Sequence, residues 1–157
     1  RPIRGRFAAG VRSCRAPHMS PIHATAVTRR RGPEWQGVLL TGPSGAGKSD
    51  LALRLMARGW RLVSDDYSHI WQSDGHLYAT APAEIAGQIE IRGIGIVAQA
   101  RRKVTPIRLV LACQQKTVER LPEPSRIVLA GVSLPLSAID TRPASACDIV
   151  EQSVAWL

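Results

Sequence analysis

The run Gly42-Pro43-Ser44-Gly45-Ala46-Gly47-Lys48-Ser49 fits G-x-x-x-x-G-K-[ST], the Walker A or P-loop pattern. A polyphosphate needs many hydrogen-bond donors at close range, and glycines leave backbone N–H groups uncovered for it. Where such a loop opens a helix, the positive end of the helix dipole faces the same anion. Lys48 would then reach the terminal phosphates as a point charge, and the Ser49 hydroxyl could hold Mg²⁺. The bland alternative is a glycine-rich surface turn.

Two acidic features follow. Asp65-Asp66 lies 17 and 18 residues after Lys48, at the carboxyl end of an expected strand. Ligands of open α/β sheets bind beyond such strand ends, so a carboxylate there could take a proton from an incoming hydroxyl. Side chains alternate along a strand, so both acids need not face the same way. The competing reading is a solvated pair capping a turn. Glu90 stands in Ile89-Glu90-Ile91-Arg92-Gly93-Ile94-Gly95-Ile96. It could be a metal ligand or support one, and pairing with Arg92 on an exposed edge strand is an equal alternative.

Short apolar runs punctuated by Gly and Pro set the elements that must position these residues. Gly37–Thr41 is a continuous apolar run, the pattern of a buried strand. Ser49–Arg58 is an expected helix: Leu51 and Leu55 share one face, Arg54 and Arg58 another, and Gly59 closes it. Strands are expected at Ile22–Val27, Arg61–Ser64, Ile89–Ile91 and Ile107–Cys113, with Arg29–Pro33 as a loop. Ser73-Asp74-Gly75 predicts a hairpin turn between His69–Trp71 and His76–Tyr78. Arg126–Ile139 predicts two strands around Gly131, and Pro143–Trp156 a last helix with Cys147, Val150 and Val154 on its apolar face. The fold class is therefore α/β, a P-loop nucleotide-binding domain with a mixed, strand-rich central sheet and few helices.

Composition sets the outer bounds. The 157 residues are 45% hydrophobic and 21% charged, values of one globular domain. No apolar run approaches membrane-spanning length, so no membrane partner is expected. The net charge of +9 is uneven: residues 1–31 hold eight arginines and no acid, and the remainder holds 13 basic and 12 acidic residues. That distribution argues against nucleic acid as a partner of the fold. Residues 1–18 are expected to be a disordered basic leader outside the fold, and 19–157 the catalytic domain. Three cysteines with no CxxC pair, Cys14, Cys113 and Cys147, suit a reducing, cytoplasmic setting.

The run GPSGAGKSDLALRLMARGWRLVSDD, followed by IEIRGIGIV, resembles the catalytic domain of the HPr kinase/phosphorylase family. These are P-loop bacterial kinases that phosphorylate a serine of the phosphocarrier HPr and can reverse the reaction with inorganic phosphate. The likeness runs from about Ile22 to about Trp156 and implies ATP and Mg²⁺ as cofactors, an HPr-like partner and a homo-oligomer. It implies that Lys48 activates the phosphates and that Ser49 and Glu90 hold Mg²⁺. It makes Asp66, with Asp65 beside it, the proton acceptor. It also raises His23, which matches the family's histidine before the loop, and Arg120 in Glu119-Arg120-Leu121, which resembles an active-site arginine. The residues alone mark neither.

The resemblance is to the short form, which lacks the long form's N-terminal domain. Residues 98–103 replace a longer loop. Thr141-Arg142-Pro143-Ala144-Ser145 stands where the family carries a Pro-Gly-Arg-containing run linked to dephosphorylation, and keeps one arginine of it. The reverse reaction is therefore left open. A small-molecule kinase and a non-catalytic ATP-binding module are the alternative functions.

Overall fold

Eleven strands and two α-helices make up the described part of the chain, residues 18–157, in a computed structural model. The expected leader, 1–18, lies outside the described residues except for His18. The strands are β1 (Ser20–Ile22), β2 (Thr25–Arg31), β3 (Glu34–Thr41), β4 (Arg61–Ser64), β5 (Ser68–Ser73), β6 (His76–Thr80), β7 (Gln88–Ile91), β8 (Gly95–Ala98), β9 (Val104–Gln114), β10 (Ser125–Leu129) and β11 (Val132–Asp140). Helix α1 spans Lys48–Met56 and α2 spans Ala146–Ala155. The α/β, strand-rich, helix-poor class read from the sequence is the observed one. No helix among the described residues is long and apolar enough to cross a membrane.

One nine-stranded sheet runs in the order β1-β5-β6-β9-β3-β2-β4. Strand β9 carries three neighbours: β3 along one side, and β6 and then β11 at successive heights, with β10 hairpinned onto β11. Strands β11, β9 and β3 are parallel, and β2 is antiparallel to both β3 and β4. It follows that β11, β9, β3 and β4 all point the same way. Their carboxyl ends, at Asp140, Gln114, Thr41 and Ser64, share one rim of the sheet.

Alternation explains how the continuous apolar strands are buried on both faces. Val38 and Leu40 of β3 join Leu109, Leu111 and Ile139 under the two helices, against Leu51, Leu55, Cys147 and Val150. Leu39, between them, faces the other way and packs with Val63, Leu77, Ala79 and Val110. The second cluster is covered by β5 and β6, whose two-residue turn puts Asp74 and Gly75 at φ of 49° and 76°, the pairing that suits a tight hairpin.

Three local expectations change. Arg29-Arg30-Arg31 is strand, not loop: the turn is confined to Gly32-Pro33, because the arginines pair with Gln36, Trp35 and Glu34 of β3. Their charged ends reach solvent while the backbone stays in the ladder, and Arg29 lies over the Trp60 ring. The expected strand at Ile22–Val27 breaks at His23-Ala24, where the chain leaves its pairing with β5 and joins β3 and β4. Residues 95–98, for which no strand was expected, form β8 and pair with β7 as a separate two-stranded sheet.

Burial pushes the Cys113 thiol up to about 12 and also raises that of Cys147. Both therefore remain thiols at about pH 8. Iodoacetamide should spare both cysteines in the folded protein and alkylate both in denaturant, as read by peptide mass spectrometry. Rapid native labelling of Cys113 contradicts this packing.

Candidate active site

The rim shared by the four co-directional strands is where the sequence-marked residues meet. Strand β3 ends at Thr41, the glycine-rich loop spans the next six residues, and α1 begins at Lys48. Gly42, Gly45 and Gly47 have φ of 130°, 81° and 85°, a region that side chains disfavour. No side chain caps α1, so no capping side chain occupies the amides of its first turn. Lys48 is only 6% exposed. Its Nζ donates to the carbonyls of Gly42 (2.9 Å) and Pro43 (3.0 Å), which leaves one of its three N–H groups for another acceptor.

The loop is pinned from outside by Thr141, just past β11. Its hydroxyl donates to the Ala46 carbonyl at 2.8 Å, and its amide donates to the Gln114 carbonyl at 3.0 Å. Arg54 of α1 donates to the carbonyls of Thr141 (2.5 Å) and Pro143 (3.3 Å) and pairs with Asp50. A Cβ on Gly47 would run into the Thr141 hydroxyl. Loop, helix and the end of β11 therefore form one braced unit.

The two aspartates take different positions. Asp65 is buried, 7% exposed. Its Oδ1 accepts from the Ser49 hydroxyl (2.7 Å) and the Thr25 hydroxyl (3.0 Å), and its Oδ2 accepts from the Glu90 amide (3.2 Å). Ser49 spends its single proton on Asp65, so its lone pairs remain for another partner. At Asp66 the chain turns to φ 64°, a left-handed conformation that Asp tolerates. The Asp66 side chain is 60% exposed and its Oδ1 lies 2.7 Å from His23 Nε2. The His23 ring also sits 5.3 Å from that of Tyr67, centroid to centroid.

A cleft of about 640 Å³ joins these groups; Ser44, Gly45, Gly47, Lys48, Ser49, Asp65, Asp66 and Glu90 all line it. Ile89 is buried and Glu90 exposed, the alternation expected of β7. Arg92 and Arg142 line the cleft as well. Arg142 grips Asp140 through Nε (2.9 Å) and Nη2 (2.7 Å), which holds the Asp140 carboxyl below its usual range and raises the guanidinium. Arg120 is elsewhere. It lies in the connection between β9 and β10, is itself exposed beside an 85% exposed Leu121, and does not line the cleft.

Among the described residues no three His, Cys, Asp or Glu side chains converge as a metal cage. Mg²⁺ does not require one, since it keeps waters and phosphate oxygens and takes one or two protein oxygens. Ser49, Asp65 and Glu90 offer hard oxygen donors along the cleft and fit that ion. The open loop amides and Lys48 fit a polyphosphate. Sequence reasoning missed Thr25 and Thr141: each is an ordinary threonine whose partners lie 40 and 95 residues away.

An α/β sheet whose parallel strand ends carry a glycine-rich loop opening a helix, with a tandem acid just past the end of a co-directional strand, defines a domain of the P-loop class. The sequence profile described as "HPr Serine kinase C-terminal domain" matches residues 35–155, and the chain belongs to that family. The HPr kinase/phosphorylase of Clostridium botulinum (strain Eklund 17B / Type B) is 51% identical over 61 residues, 39% of this chain and 20% of that protein. That of Levilactobacillus brevis is 45% identical over 83 residues, 48% of this chain and 27% of that protein. The matched stretch thus spans only a fifth to about a quarter of the length of these curated relatives. The structure titled Hpr(Ser) kinase/phosphatase from Coxiella burnetii superposes with a TM-score of 0.71, covering 87% of this chain and 88% of that one at 23% identity, a likeness of fold.

Two glycine substitutions separate backbone strain from the Thr141 contact. Both Gly45 and Gly47 have positive φ, but a Cβ on Gly45 would meet open space. Gly45→Ala should cost about 1 kcal/mol and Gly47→Ala about 2–3 kcal/mol of unfolding free energy in urea. Equal costs would remove Thr141 from this account of the loop.

Proposed function

We propose that the chain is an ATP-dependent protein-serine kinase domain that phosphorylates a serine of an HPr-like phosphocarrier protein. One observation carries this reading. The exposed Asp66 carboxylate, joined to His23, lines the same cleft as Lys48 and Ser49 of the glycine-rich loop. Phosphoryl transfer asks a protein for positioning and charge compensation more than for covalent chemistry, and these groups supply both.

The roles follow from position. The loop amides from Gly42 to Ser49, with Lys48, bind and orient the phosphates of ATP. Ser49 and Glu90, with Asp65 behind Ser49, hold Mg²⁺, which when bound neutralises phosphate charge. Asp66 accepts the proton of the acceptor serine as its oxygen bonds to the γ-phosphorus and the bond to ADP breaks. His23 steadies the Asp66 carboxylate. Arg92 and Arg142 are the cleft arginines that would meet developing negative charge; Arg120 does not line the cleft. In the reverse direction Asp66 would return the proton to the serine oxygen as inorganic phosphate takes up the phosphoryl group.

Membership of the family and the resemblance of GPSGAGKSDLALRLMARGWRLVSDD and IEIRGIGIV support HPr as the acceptor. Incubation with ATP, Mg²⁺ and a purified HPr-type carrier should add one phosphoryl group to a carrier serine, read by mass spectrometry. Asp66→Asn should lower kcat by about 10²–10⁴-fold while ATP still binds, the range expected for loss of a general base. Equal turnover by both proteins removes Asp66 from the mechanism, and labelling of nucleosides or small acids instead of the carrier would identify a small-molecule kinase.

A further inference from the structure

We propose that Thr25 is the positioning residue of this site: its one hydroxyl sets Asp65 and Asp66 to their separate positions. The proposal rests on the kinase reading for the role of Asp66, and on geometry alone for the clamp itself. Thr25 is fully buried at the start of β2. Its hydroxyl donates to Asp65 Oδ1 at 3.0 Å and accepts from the Asp66 amide at 3.2 Å. A hydroxyl has one proton to give, and here it goes to one aspartate's side chain while a lone pair takes the next one's backbone N–H.

The consequence is directional. The donated bond helps turn the Asp65 carboxylate inward, where Ser49 and the Glu90 amide complete its partners. The accepted bond fixes the peptide between the two acids, and so the left-handed turn that sends Asp66 outward to His23. His23 and Thr25 stand two residues apart on the segment where the chain changes partners from β5 to β3 and β4. One short piece of chain therefore holds the backbone of Asp66 through Thr25 and its carboxylate through His23. Burial makes the hydroxyl informative. An apolar side chain would fill this site without needing partners, and a buried hydroxyl is stable only with them. The other buried hydroxyl of β2, Thr28, meets the Thr105 hydroxyl at 2.7 Å instead of an aspartate.

Thr25→Val and Thr25→Ser, each shown folded by a cooperative unfolding transition, test the proposal in two arms. In the first, hydrogen exchange is read at the Asp66 amide by NMR. It should be protected in the wild type and in Thr25→Ser, and should exchange at least about tenfold faster in Thr25→Val. An unprotected Asp66 amide in the wild type, or one equally protected in the Val protein, overturns the clamp even if the Val protein cannot be prepared. In the second arm, carrier phosphorylation is followed at varied ATP. Thr25→Val should lose about 10- to 100-fold in kcat, the scale of a misplaced catalytic group, with KM for ATP nearly unchanged. Thr25→Ser should restore kcat. Loss through KM alone, or no rescue by Ser, assigns Thr25 a merely structural role and overturns the proposal. If the wild type leaves the carrier unlabelled, the kinase reading fails and the exchange arm alone decides the clamp.

Discussion

A buried carboxylate with three donors around it organises this molecule. Asp65 sits out of solvent at the tip of β4, where an unpartnered charge would cost several kcal/mol. Thr25, Ser49 and the Glu90 amide satisfy it, and hydrogen bonds to charged groups are worth about 1.5–3 kcal/mol each. Those partners come from β2, from the first turn of α1 and from β7. A single side chain thus gathers the loop, the sheet and the separate β7–β8 hairpin around one cleft. Asp66 is free to face solvent because Asp65 has taken the structural task.

The rest of the rim is arranged by strand direction. Four co-directional strands bring the glycine-rich loop, Gln115, Thr141 and Asp65 to the same end of the sheet. Thr141 and Arg54 then tie the loop to α1 and to the chain after β11, which keeps the amides of the loop in place before any anion arrives. Such preorganisation is what phosphoryl transfer requires of a protein, because orientation rather than covalent help lowers its barrier. The cleft is correspondingly polar and the apolar clusters lie beneath it, on both faces of β3 and β9.

How much of this was legible beforehand depended on whether the signal was local. The loop, the buried strand read at Gly37–Thr41, the helix after it and the Asp74-Gly75 turn are each written in a few adjacent residues, and all are present, though the strand starts earlier, at Glu34, and the helix ends earlier, at Met56. The tandem acids were legible as a candidate pair that need not face the same way, but their divergence comes from the left-handed turn at Asp66 past the end of β4, which no local pattern announced. Three consecutive arginines mark a loop on composition, yet cross-strand pairing with Glu34–Gln36 kept them in β2. The break at His23 was invisible because it comes from a change of neighbours, not from a breaker residue. Thr25 and Thr141 carry no local mark, since their hydroxyls matter only through distant partners. Arg120 was raised by resemblance alone, and it is exposed and does not line the cleft.

Asp65 anchors the site through its three donors, and in the proposed reaction Asp66 accepts the proton. Titration calorimetry of ATP with Mg²⁺ against Asp65→Asn and Asp66→Asn tests this division most directly. An amide at position 65 would point either an oxygen or an N–H group at donors that now meet a charge. Asp65→Asn should therefore weaken binding by about 10-fold or more and lower the unfolding midpoint, as loss of charged hydrogen bonds requires. Asp66→Asn should bind like the wild type. Unchanged binding by Asp65→Asn, or a loss confined to Asp66→Asn, would contradict the account.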